Sequence, residues 1–370
     1  MMSISPLKSA SNAAQYYLDE ENTQELPDTT LEKDASDNYY LKEQAQGENT
    51  FWHGKLAIDA GLLGKPVEQK TLESVLSGHL GDETIKGKRE NKHRPGLDLT
   101  FSAPKGISTL ALVGGETRLI EAHDNAVKFV LDQIEKDVAQ VKVTHEKGVQ
   151  EFENTESMAF AVVRHKTSRE NDPQMHSHVL TANMTRDNEG QLRTLASTIK
   201  QQGGVINGSG ERIYNFQKYY TALYQSHLAK DAQALGFQMR GVGNGQFEVD
   251  GVPQVVLEAF STRKQQIDQQ ALDFGDSQAA RDTAALDTRK PKTHESDASL
   301  NARWQQTVRD KGFLPETLVQ NALNVAKHEH TFIIAIMSCE AFNSSACKLC
   351  SAAMSPSPSI VVHNETVMEK

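Results

Sequence analysis

Ala159-Phe160-Ala161-Val162-Val163-Arg164-His165, then a turn-rich link through Asn171-Asp172-Pro173, then Gln174-Met175-His176-Ser177-His178, is the stretch whose reading decides the fold. His176 and His178 are one residue apart. On a strand that spacing puts both imidazoles on one face, because side chains alternate with period two. His165 closes the apolar run before the link. Asn, Asp and Pro together favour a chain reversal. Two antiparallel strands joined there bring His165 beside the other two histidines. Three neutral imidazoles facing one point form a metal site with open positions, the arrangement of catalytic rather than structural sites. A single strand histidine usually serves packing, and a His-x-His pair recurs in unrelated sheets. The third histidine at hairpin distance is what singles this stretch out.

Working outward, the chain has 370 residues and an ordinary hydrophobic fraction, enough for one large domain plus a tail or for two domains. Its formal net charge is −10. That argues against indiscriminate binding to phosphate backbones and leaves room for a local basic cleft. Part of the acidic excess lies between Asp19 and Asp37, and residues 18–38 read as a polar, mobile insert. The first residues lack the apolar core of a signal peptide, and no run reaches membrane-spanning length. All three cysteines, Cys339, Cys347 and Cys350, fall near the C-terminus, so the body of the chain needs no disulfide. These features together predict a cytoplasmic protein.

Ser3–Leu7 reads as a strand. Ser11 or Asn12 can cap a helix that carries Tyr16-Tyr17. Trp52–Leu63 reads as helical. In Leu97-Asp98-Leu99-Thr100-Phe101-Ser102, Asp98, Thr100 and Ser102 share one strand face and the apolar residues the other. Pro104-Lys105 turn the chain into a helix, and residues 116–140 form the clearest amphipathic helix. A second helix is expected over 215–236, a hairpin turning at Asn244-Gly245 over 241–249, and a polar helix over 264–289. Beyond about residue 326 the amphipathic period is lost.

A metal held by three histidines polarises a phosphodiester and needs a nucleophile. Six of the eight tyrosines are paired: Tyr16-Tyr17, Tyr39-Tyr40 and Tyr219-Tyr220. The last pair lies with Tyr214 and Tyr224 along an expected helix, where packing explains it. The first two pairs adjoin polar chain. A phenol is a weak nucleophile unless a metal or base assists it. Its phosphate ester keeps the energy of the cleaved bond, so a strand cut this way can be rejoined.

In these motifs the chain resembles the MobF-class conjugative relaxases, the TrwC/TraI type, within the HUH endonuclease superfamily. The resemblance is carried by Ser3-Ile4-Ser5 with Tyr16-Tyr17, by Tyr39-Tyr40, and by Arg94-Pro95-Gly96-Leu97-Asp98-Leu99-Thr100-Phe101-Ser102-Ala103-Pro104-Lys105. It is carried further by His165 with His176-Ser177-His178, and by Ala285-Leu286-Asp287-Thr288-Arg289-Lys290. The motifs follow one another in order through residues 1–325.

The resemblance implies an α+β fold: a central antiparallel sheet with flanking helices and a C-terminal helical covering segment. It implies site- and strand-specific nicking of single-stranded DNA beside a hairpin at a plasmid origin of transfer. The tyrosine attacks the scissile phosphate, keeps the 5′ phosphate and frees a 3′ hydroxyl. Tyr16 or Tyr17 would make the first cut, and Tyr39 or Tyr40 the second transfer. His165, His176 and His178 would hold a divalent metal, with Mg or Mn favoured over Zn or Ni. Asp98 would orient a metal-binding histidine and accept the tyrosine proton. Accessory relaxosome proteins and a secretion coupling protein are the implied partners.

Two departures from the family pattern stand out. The gap between Tyr17 and Tyr39 is longer than usual, and no phosphate loop of the G-x-x-x-x-G-K-[ST] form follows. The expectation is a relaxase domain over 1–325 with no helicase, followed by an atypical tail over 326–370 that suggests truncation or frameshift. Among basic residues, Lys105 and Arg169 are the chosen DNA contacts, from a wider set with Arg186, Arg193, Arg240 and Arg263. Three other readings are a rolling-circle replication initiator, a non-catalytic origin-binding remnant and a metal hydrolase using activated water. In the hydrolase the tyrosines are irrelevant, so replacing Tyr16 and Tyr17 by Phe separates it from the others.

Overall fold

The structure is a computed structural model that describes residues 1–22, 49–86, 93–145, 148–201, 204–275, 277–288 and 295–327. Tyr39-Tyr40, Arg289-Lys290, the cysteines and the tail from 328 lie outside the described residues.

Five strands form the central sheet: β1 (Met2–Pro6), β2 (Thr50–His53), β3 (Gly96–Ser102), β4 (Phe160–Thr167) and β5 (Pro173–Ala182). Their order is β1-β3-β5-β4-β2, and every neighbouring pair is antiparallel. The hairpin expected around the histidines is the β4–β5 hairpin, turned at Asn171, whose φ is 57°. Asn tolerates that left-handed conformation better than most residues.

Alternation along the strands sorts the chain into two layers. On one side Leu99, Phe101, Phe160, Val162, Met175 and Val179 pack beneath helices α3 (Lys105–Leu112), α4 (Arg118–Val138) and α5 (Gln217–Ala234). α4 buries Leu119, Ala122, Ala126, Val127, Val130, Leu131, Ile134 and Val138, the helical period read from the sequence. The hairpin β6 (Met239–Gly243) and β7 (Gln246–Val249) turns at Asn244-Gly245 with positive φ at both residues, as such hairpins require. On the opposite side Ala161, Val163, Leu180 and Ala182 meet α1 (Ala10–Asn22) and α2 (Gln69–Leu76). Toward the far ends of β4 and β5, this second face loses its helical cover and becomes the site.

Three covering helices follow: α6 (Thr262–Asp273), α7 (Gln278–Asp287) and α8 (Asp297–Asp310). They answer to the expected C-terminal covering segment.

Several expected boundaries move. Residues 18–22 belong to α1 rather than to a loop, because Ala13, Ala14 and Leu18 bury one face of a continuing helix. The expected helix over 52–63 is a strand edge followed by a short helix at Lys55–Asp59. Gly54 at φ 95° separates them, and a Cβ there would lie 2.4 Å from the Met158 carbonyl oxygen. The helix over 264–289 is two helices broken at Phe274-Gly275, and the one over 215–236 begins afresh after a turn at Phe216. Among the described residues no helix is long and apolar enough to cross a membrane.

Candidate active site

The hairpin register places His165 directly opposite His176, while His178 stands between Val163 on β4 and Thr100 on β3. The three imidazole centroids are 5.2–5.4 Å apart. One nitrogen from each lies within 4.8 Å of the others. Nδ1 of His176 donates to the Gln174 carbonyl at 2.9 Å, and Nδ1 of His178 meets Asp98 Oδ2 at 2.9 Å. With Nδ1 so committed, Nε2 is the nitrogen these two rings offer a metal, while Nε2 of His165 lies 3.3 Å from the Tyr17 carbonyl oxygen. Three imidazole donors in this spacing fit a divalent ion and leave its other positions open.

Asp98 is 3% exposed and ties the centre together. It orients His178, accepts the Thr100 hydroxyl at 3.3 Å, and accepts the Tyr17 hydroxyl at 2.8 Å. The Tyr17 ring lies 4.7 Å from that of His178. Tyr16 meets Tyr17 edge-on at 5.0 Å and is 41% exposed. Arg169 Nη2 donates to its hydroxyl at 2.9 Å.

Both tyrosines reach the site because α1 buries Ala14 and Leu18 against the sheet and so turns Tyr17 toward β3. The start of β3 holds the approach. Gly96 has φ 144°, and a Cβ there would lie 1.8 Å from the Thr181 carbonyl oxygen, so only glycine allows β3 and β5 to pair at this point.

Tyr16, Tyr17, Asp98, Arg169, His176 and His178 line a cavity of about 420 Å³, with Ser5 and Thr167 on the sheet side, Arg263, Ile267 and Ala285 from α6 and α7 on the other, and His165 buried behind its wall. Arg263 donates to the carbonyls of Ala285 and Thr288 and to the Thr288 hydroxyl, locking the end of α7 over the cavity. Asp172, 3% exposed, accepts from the Thr262 backbone N–H at 2.9 Å and hydroxyl at 3.2 Å, which caps α6 from the β4–β5 turn. Burial pushes its carboxyl above the usual range. The same turn receives Trp304 Nε1 of α8 on the Asn171 carbonyl at 2.8 Å.

The structure therefore brings together Tyr16, Tyr17, Asp98, His165, His176, His178 and Arg169. It leaves Lys105 aside. That ammonium, pushed down to about 8 by burial, donates to the Pro173 carbonyl at 3.2 Å and does not line the cavity. Among the wider basic set, Arg186 pairs with Glu83 and Arg193 with Asp187. Thr100 and the capping role of Asp172 went unread. Thr100 shares the Asp98 face in the period-two pattern, which is the signal that points to it. No local signal pairs Asp172 with a residue ninety positions away.

Fold and site together define a three-histidine metal centre on an antiparallel sheet, edged by a tyrosine pair. The family model described as TrwC relaxase matches residues 10–311. Among characterised proteins, the multifunctional conjugation protein TraI of Escherichia coli K12 is 38% identical over 317 residues, which are 85% of this chain and 16% of TraI. The chain thus spans about a sixth of the length of that relative. Among solved structures, TrwC complexed with a 27-mer DNA comprising the recognition hairpin and the cleavage site matches with a TM-score of 0.69 at 29% identity, covering 85% of this chain and all of that one. A copper-bound complex of the conjugative relaxase TrwC with origin-of-transfer DNA matches with a TM-score of 0.70 at 31% identity, with the same coverage. The chain belongs to the TrwC relaxase family.

Proposed function

We propose that this chain nicks and rejoins one DNA strand at a plasmid origin of transfer through a tyrosine nucleophile. The observation that carries this is the meeting of two phenol hydroxyls, the Asp98 carboxylate and the three-histidine centre at one cavity. It is supported by the similar TrwC structures, one with a 27-mer DNA comprising the recognition hairpin and the cleavage site and one with origin-of-transfer DNA, and the name of the conjugation protein TraI extends the reading to conjugation.

The residues divide the work. The scissile phosphate enters between the histidines and the guanidinium of Arg169. The hydroxyl of Tyr17 already donates to Asp98, so its proton has an acceptor as the oxygen attacks phosphorus. The hydroxyl of Tyr16 accepts from the Arg169 guanidinium. One of the two forms the O–P bond. The bond to the 3′ oxygen breaks, that oxygen takes up the proton that the attacking phenol gave to Asp98, and the 5′ phosphate stays on the tyrosine. A divalent cation, when bound, polarises a non-bridging phosphate oxygen. We assign Mg or Mn to that role ahead of Zn or Ni. A second tyrosine, Tyr39 or Tyr40, serves the closing transfer. Accessory relaxosome proteins and a secretion coupling protein complete the set of partners.

The test uses labelled single-stranded origin oligonucleotides with Mg or Mn, a denaturing gel, and mass mapping of the adduct. The expected result is a covalent adduct on Tyr16 or Tyr17, lost on chelation and in the paired Tyr16→Phe, Tyr17→Phe variant. Cleavage that survives in that variant would mean activated water and overturn the proposal. Binding without cleavage at any metal would point to an origin-binding remnant.

A further inference from the structure

Behind the metal face lies a second polar cluster that the chemistry above does not use. Ser177 sits between His176 and His178 on β5, so its side chain points to the opposite face. There its Oγ meets His123 Nε2 at 2.8 Å, and His123 Nδ1 meets the Tyr224 hydroxyl at 2.7 Å. Ser177, His123 and Tyr224 are all fully buried, at 0% exposure. Burial also holds His123 neutral, far below its usual range. The cross-strand partner of Ser177 is Arg164, the residue before His165. Its guanidinium pairs with Asp124, the neighbour of His123 on α4, and also donates to Asn49 Oδ1 at 2.9 Å.

Two consecutive residues of one helix thus grip two directly paired strand positions, each adjacent to metal ligands. Buried polar groups are costly unless satisfied, and an apolar pair would fill this space at less risk. What the polar contacts add is direction. A strand turns about its own axis, and the side chain on one face fixes where its two neighbours point on the other. Fixing Ser177 fixes the aim of His176 and His178, and fixing Arg164 fixes that of His165.

We propose that His123 and Asp124 of α4 are positioning residues for the metal centre, bracing Ser177 and Arg164 from behind so that three imidazoles converge. The inference rests on reading the three histidines as a metal centre.

The experiment titrates the purified chain with Co2+ by calorimetry and follows the visible Co2+ spectrum, with thermal unfolding of the metal-free protein alongside. Ser177→Ala is expected to weaken Co2+ binding about tenfold, in line with the loss of outer partners at metal sites, and to alter the spectrum. Ser177→Thr, which keeps the hydroxyl, restores both. Arg164→Met cuts the other arm and weakens binding in the same direction. Tyr224→Phe leaves strand and imidazole intact, and a smaller weakening is expected; it carries the test if Ser177→Ala fails to fold. Variants that melt earlier yet bind Co2+ with wild-type affinity and spectrum would overturn the brace and reduce it to packing. Failure of the wild-type chain to bind Co2+ would instead overturn the metal-centre reading itself.

Discussion

Front and back of the β4–β5 hairpin carry different chemistry on alternate residues. The front presents His165, His176 and His178 beside Asp98 and Tyr17, with His176 and His178 open to a cavity and His165 buried behind them. The back presents Arg164 and Ser177, shut against α4 with no water access to Ser177. Of the front groups, Tyr17, Asp98, His176 and His178 line the cavity. Back groups are polar too, although Ser177 is fully buried and Arg164 keeps only a small exposed fraction. The contrast teaches that one pair of strands both displays a site and is held by what lies behind it, because the pleat assigns neighbours to opposite faces.

The largest expected effect tests the front. His178→Ala removes a donor and leaves two imidazoles, so stoichiometric metal binding by calorimetry is expected to disappear. Retained binding of one equivalent would break the contrast. Next comes Asp98→Asn, which keeps shape but removes the charge that orients His178 and accepts from Tyr17. Metal affinity or nicking rate is expected to fall by about 10–100-fold, as outer partners of metal ligands generally show.

The back is tested by pH. His123 is held neutral in the fold but gains a proton below its ordinary value of 6.5 when unfolded. Its folded value is depressed, so its contribution to stability is present above 6.5 and is lost as pH falls below it. The loss is expected at up to about 1.4 kcal/mol per pH unit, read from denaturant unfolding between pH 6.5 and 5. His123→Gln should flatten that slope, and an unchanged slope would remove His123 from the account.

Smaller effects sharpen the comparison at the hairpin's turn. Asp172→Ala uncaps α6 and is expected to cost about 0.5–2 kcal/mol in chemical unfolding, with metal affinity unmoved. Lys105→Met should leave affinity for an origin oligonucleotide within about twofold, since this half-buried ammonium is turned to the Pro173 carbonyl and lies outside the cavity lining. A larger loss would restore Lys105 to the DNA surface.

The hairpin, the metal triad and Asp98 were legible because each depends on spacing of two along a strand or on one short turn. Tyr16-Tyr17 was legible as a pair, but the division of partners, Asp98 for one and Arg169 for the other, was not. It depends on the rotation of α1, which Ala14 and Leu18 set by packing against a sheet formed from residues far along the chain. Helix limits moved for a similar reason. Gly54 ends a strand edge because the Met158 carbonyl crowds it, a contact across a hundred residues.

The sequence by itself determined which side chains share a face, hence the three histidines and the carboxylate beside them, because alternation is a local property of the backbone. Only the tertiary structure decided that Lys105 supports Pro173 rather than facing the cavity, that Asp172 caps α6, and that His123 and Asp124 stand behind the ligands. Those pairings span from about forty to ninety residues of chain and carry no period. They exist because burial forces each polar group to find a partner, and the partner is whatever the packed fold brings within reach.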